Sequence, residues 1–284
     1  ETFALKGQNA LGTDFWIPSQ NLIDNQSARP DAFSSFDIVA TENNTNITIT
    51  PSNAIVGHPA GASFNIVLNE GQTWSGKALS KLAAGHLDGS RVTSDKPIAI
   101  TIKDDNVDGR PNYYGACADL VGDQIIPVHL LGTEYIAVNG FLDAPHDQLF
   151  ILATQNGTTI SQNGVVAANI NAGQTHRLVI GGPSTYIQTS APVYVLQLTG
   201  VGCEFGLGML PQINCTGSSS VSYSRFLPSQ LYLNLVVRNG GQGDFLVNGN
   251  TGVINAANFA PVPGTGGQWM AAQVSLPVQQ YPMG

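Results

Sequence analysis

Short runs of alternating apolar and polar residues recur along the chain. Ile47-Thr48-Ile49-Thr50 alternates with period two, and Phe64-Asn65-Ile66-Val67-Leu68 does so less strictly. The pattern returns at 97–103 (PIAITIK), 193–198 (VYVLQL) and 231–237 (LYLNLVV). Each run is short, rich in β-branched or aromatic residues, and bounded by Gly, Asn, Asp or Pro, which predicts strands. Asn156-Gly157, Asn163-Gly164, Asn239-Gly240 and Asn248-Gly249 predict type I′ hairpin turns, because both central residues there need positive φ. One short stretch, 76–84 (GKALSKLAA), reads as helical. The predicted fold is all-β.

The strands are organised as a repeat. Gly12-Thr13-Asp14-Phe15 returns as Gly132-Thr133-Glu134-Tyr135, and Ile38-Val39-Ala40-Thr41 as Ile151-Leu152-Ala153-Thr154. Asn69-Glu70-Gly71-Gln72-Thr73 returns as Asn171-Ala172-Gly173-Gln174-Thr175, and the segment leading into Pro97-Ile98 as the one leading into Pro192-Val193. Four matches in one order make coincidence improbable. A weaker third copy starts near Ser222, with 233–238 in the first-strand role. Proline suits the first residue of a strand, where no ladder donor is lost. The expected architecture is tandem β-sandwich-like repeats, two clear and one weak, divided as 1–131, 132–221 and 222–284.

Composition narrows the setting. Charged residues make up only 11% of the chain and the net charge is −8, with 11 Lys and Arg in all. No cationic cluster is available to displace counterions from phosphates or to dock on anionic lipid, so neither nucleic acid nor a membrane surface is expected as a partner. No apolar run approaches the ~20 residues of a membrane-spanning helix. A surface wetted by Asn, Gln, Ser, Thr and backbone fits an extracellular β protein. Cys117, Cys203 and Cys215 form no CxxC pair, which argues against a thiolate zinc site. They allow three single-disulfide pairings or three reduced thiols; a secreted setting favours one bridge.

The segments Gly12-Thr13-Asp14-Phe15-Trp16-Ile17-Pro18, 37–42 (DIVATE), 94–98 (SDKPI), 117–124 (CADLVGDQ) and 210–218 (LPQINCTGS) resemble the N-terminal domain of IgGFc-binding protein and its bacterial relatives. The resemblance runs from about residue 11 to 225. It implies a secreted or cell-surface binding or adhesion module, as in the large surface proteins of Bacteroidetes, beside other domains of a longer chain. It supplies no catalytic residues.

The sharpest local motif is Asp104-Asp105-Asn106-Val107-Asp108-Gly109. Asp104, Asn106 and Asp108 alternate as oxygen donors ahead of a glycine, as in a calcium loop. The twelfth position of that pattern falls on Gly115, so Asp119 or Asp123 would have to complete the shell. A solvated acidic hairpin is the plainer reading. Tyr113 and Tyr114, in the same Gly/Pro/Asn-rich loop, are candidate ligand-binding aromatics, with Trp16, Trp74 and Trp269 as further sugar platforms. Trp16 sits in an apolar strand and suits the core. Long loops on a rigid scaffold commonly carry recognition, which points to 104–123.

No GxSxG elbow, HExxH, P-loop or GxGxxG is present. The five histidines read individually as surface or turn residues. The expectation is a non-enzymatic binding module for an extracellular glycan or protein, with calcium as a possible loop stabiliser. The alternatives are a carbohydrate-active hydrolase using the acidic loop, or a structural spacer.

Overall fold

The computed structural model describes residues 5–108, 118–142, 146–202, 204–214, 217–222 and 231–276. Among these the chain is all-β, with a few single 3-10 turns. No helix there is long and apolar enough to cross a membrane. The stretch expected to be helical is instead the end of a strand, a loop and one 3-10 turn at Ala83–Gly85. Gly76 explains part of this: a Cβ there would fall 2.7 Å from the Phe36 ring, so the backbone is pressed onto the core as a strand.

The first sheet contains β1 (Gly12–Ile17), β2 (Ser34–Ala40), β3 (Thr45–Thr50), β4 (Phe64–Leu68), β5 (Thr73–Lys77), β6 (Ser90–Asp108) and β7 (Ala118–Ile125). Its order is β4-β3-β6-β2-β5, with β1 and β7 also paired to β6. The second contains β8 (Gly132–Val138), β9 (Phe141–Leu142), β10 (Gln148–Ala153), β11 (Thr158–Gln162), β12 (Val165–Ile170), β13 (Thr175–Val179), β14 (Ser184–Gly202) and β15 (Glu204–Met209). Its order, β12-β11-β14-β10-β13 with β8 and β15 on β14, repeats the first. In each unit one 19-residue strand, β6 or β14, serves several neighbours and curls the sheet. The third sheet is β16 (Leu231–Arg238), β17 (Ala260–Pro261) and β18 (Trp269–Leu276), in the order β16-β18-β17.

The repeat extends to individual hydrogen bonds. Thr41 Oγ1 donates to Pro97 O at 2.5 Å, and Thr154 Oγ1 to Pro192 O at 2.6 Å. Gln72 Oε1 accepts from Asn69 N, and Gln174 Oε1 from Asn171 N, both at 2.8 Å. Gly71 and Gly173 sit at φ +76° and +79°, a conformation that favours glycine. Of the four Asn-Gly pairs, Asn163-Gly164 and Asn248-Gly249 have positive φ at both residues, as expected of type I′ turns. At Asn156-Gly157 and Asn239-Gly240 only the glycine does, because these pairs lie in connections longer than two residues, one at its end and the other at its start.

The units do not keep separate cores. Phe36, Ile38, Ile98, Ile100 and Ile102 of the first sheet share one buried cluster with Phe150, Leu152, Leu196, Leu198 and Phe205 of the second. Leu149, Ile151, Val193 and Val195, on the other face of those second-unit strands, form a second cluster with Ile160 and Ile187. The second sheet is therefore apolar on both faces, and its outer face completes the core of the first unit.

Candidate functional site

The sequence directs attention to the segment joining β6 to β7. Its tip, with Tyr113 and Tyr114, lies outside the described residues, as do Cys117, Cys203 and Cys215. Its two roots are described, and there the acidic residues separate. Asp104 is buried and points inward, where its Oδ2 accepts from Ser19 Oγ at 3.0 Å. Its Oδ1 lies 3.6 Å from His86 Nδ1 and has no hydrogen bond. Asn106 occupies a left-handed position, φ +50°, in a β6 bulge, and its amide donates to Asp105 Oδ1 at 3.0 Å. Asp108 ends β6; its side chain is outside the described set.

Asp119 and Asp123 are used elsewhere. Both lie on β7 with buried carboxylates, and each accepts a backbone N–H from β15: Phe205 N at 2.7 Å and Met209 N at 2.8 Å. Lys6 Nζ also reaches Asp123 Oδ1, at 2.6 Å. The two carboxylates act as pegs joining the edges of the two sheets, where donor amides at an edge would otherwise be unpaired. Among the described residues no three His, Cys, Asp or Glu side chains converge as a metal site would require. Of the residues expected to share a cation, Asp104 thus belongs to a buried network and Asp119 and Asp123 to an inter-sheet seam.

The buried network was not legible in the sequence. His86, expected at the surface, is completely buried. Its Nδ1 lies 2.8 Å from Gln20 O and its Nε2 3.0 Å from Asn25 Oδ1. Asn25 Nδ2 donates to Asp105 O, so the amide oxygen is the atom facing the ring. Gln20 Nε2 also stands 3.2 Å from Nδ1, so both ring nitrogens are held by polar partners, with the Asp104 carboxylate beside them. Burial raises the Asp104 pKa, and the neighbouring His86 draws it back down. Ser19, His86 and Asp104 are triad residue types, yet Ser19 bonds the aspartate rather than the histidine, and all three are shut off from solvent. The arrangement is structural: it ties the loop before β2 to the end of β6.

On the opposite face of the same strand end lies a shallow cleft of about 110 Å³. Asp37 on β2, Ser75 and Lys77 on β5, and Lys103 and Asp105 on β6 line it, with Asp31 and Phe33 at its rim. Ser75 Oγ donates to Asp37 Oδ1, and Lys103 Nζ stands 3.6 Å from Asp37 Oδ2. Lys77 Nζ and Lys81 Nζ lie 4.7 and 5.0 Å from the centre of the Phe33 ring. The cleft thus offers cations, carboxylates and an aromatic ring at the root of the β6–β7 connection. The tryptophans are less available. Trp16 and Trp269 carry Arg91 and Arg238 over their rings, and Trp74 packs against Phe36 and Phe64.

The family model described as IgGFc binding protein matches residues 1–282. The chain belongs to this family. Comparison with curated proteins and with solved structures gives no match. The matched residues include the third sheet as well as the first two.

Proposed function

We propose that this IgGFc-binding family member is an extracellular protein-binding module that acts without chemical turnover and contacts its ligand through the charged cleft of the first unit. The observation that carries this reading is the uncovered face of β2. At the matching outward position the first unit has Asp37, while the second has Phe150, buried against the first unit, and the third has Val236, packed on the second. Among the described residues one face in the series stays polar and open, and it bears paired charges and an aromatic ring, as is common at protein interfaces. The family description supports a protein ligand, immunoglobulin Fc being the first to test.

The test is binding of the immobilised chain to immunoglobulin Fc fragments, alongside a glycan array. The double variant Lys77→Glu/Lys103→Glu should weaken a protein ligand at least about tenfold, with added salt weakening the parent similarly and Tm unchanged. Unaltered binding by that variant places the contact elsewhere. Calcium at the β6–β7 connection is a separate proposal; it requires Ca2+ to raise Tm and EDTA to lower it.

A further inference from the structure

The third unit begins as the other two do. Gly267 has φ +77°, beside +76° and +79° at Gly71 and Gly173, and each is followed by glutamine. Gln72 N, Gln174 N and Gln268 N donate three residues back, to Asn69 O, Asn171 O and Thr265 O. Ala40 N donates to Gln72 O, Ala153 N to Gln174 O and Asn239 N to Gln268 O, at 3.1, 3.1 and 2.9 Å. Val237 opposite Met270 therefore matches Ile38 opposite Trp74 and Ile151 opposite His176. By this register β16 is the counterpart of β2 and β10, and β18 that of β5 and β13.

The counterparts differ on their second edge. β2 pairs there with β6, Ile38 opposite Ile100, and β10 with β14, Ile151 opposite Val195. Among the described residues β16 pairs with β18 alone. Burial follows. Phe36, Ile38, Leu149 and Ile151 are 0% exposed, whereas their matches Leu235 and Val237 are half-buried, as are Leu231, Leu233, Phe245 and Val247 around them. The other face of β16 is taken, since Tyr232 packs against Phe141 with the rings tilted and Val236 packs with Ile136 and Val138. What stands open, among the described residues, is one backbone edge and the half-buried apolar side chains along it.

We propose that the second edge of β16 is a strand acceptor. It takes an extended segment of a partner polypeptide, about seven residues long, antiparallel to β16 and apolar at alternate positions. The first two units say what fits: the slot beside β2 holds 98–104 (IAITIKD), and that beside β10 holds 193–198 (VYVLQL). Backbone pairing would give such a partner its affinity, and the half-buried leucines would select apolar side chains at every second position.

A synthetic peptide of residues 97–105 serves as the probe, added to the whole chain and followed by fluorescence anisotropy and amide hydrogen exchange. Saturable binding is expected, with exchange across 231–238 slowed at least about tenfold. The same peptide N-methylated at alternate amides should bind at least about tenfold more weakly, because its pairing edge is blocked. Protection that appears on β4 or β12 instead, equal binding by the methylated peptide, or no binding at millimolar peptide would overturn the proposal. So would a dimer in which the β16 amides are already protected, which would make a second copy the occupant.

Discussion

The first and second units share strand order, turn geometry and even individual side-chain hydrogen bonds, yet they differ in what the outer face of one strand meets. Asp37 on β2 looks out onto a charged cleft, while Phe150 at the matching place on β10 lies in the core of the preceding unit. Period-two patterning puts one face of each strand inward in both cases. The second face is free to vary: among the described residues it is polar where no unit packs on it and apolar where one does.

The comparison can be broken most forcefully at Phe150. Phe150→Asp sets the second unit's outer face to the first unit's chemistry, removes a buried ring and buries a carboxylate. It should cost about 4 kcal/mol or more in urea unfolding. The reciprocal Asp37→Phe should leave the urea midpoint nearly unchanged, because that face is open, while abolishing ligand binding. Comparable losses from the two would refute the asymmetry.

Where the units touch, Gly89 has φ +82° and a Cβ there would fall 2.1 Å from Gly173 O. Gly89→Ala should therefore cost about 2–3 kcal/mol, through strain and a forced separation of the two units. Asp119→Ala leaves Phe205 N without its acceptor at the seam and should cost about 1–3 kcal/mol. If thermal unfolding of either variant matches the parent, the units are held together by something other than these contacts.

The smallest effect concerns pH. Asp88, beside Asn21 at the same junction, has its carboxyl held above the usual 3.8, first by burial. A carboxyl raised on folding stabilises the fold below its unfolded pKa and loses that contribution as pH rises through the folded value. The stability of the parent relative to Asp88→Asn should therefore fall between pH 3.8 and the neutral range and then level off. A flat difference across that range would show that Asp88 is no more buried in the fold than in the unfolded chain.

Strand periodicity, two of the four Asn-Gly turns and the repeated Gly-Gln segments were legible in the sequence, because each depends on neighbours within a few residues. That locality carried the all-β class and the duplication, while the resemblance to the family that the match over 1–282 shows rested on particular segments such as 12–18 and 210–218. The chemistry of Asp104, Asp119 and Asp123 was not legible. Their spacing mimics a cation loop, but a strand sends alternate residues to opposite faces, and partners far along the chain, His86 for one and the β15 amides for two, decided what each carboxylate does. Likewise the burial of His86 arises from Gln20, Asn25 and Asp104, distant in sequence within its own unit, and the apolar outer face of β10 from its contact with the first unit. Local pattern determines which strands form; only the packing of one unit on the next decides which faces remain for a partner.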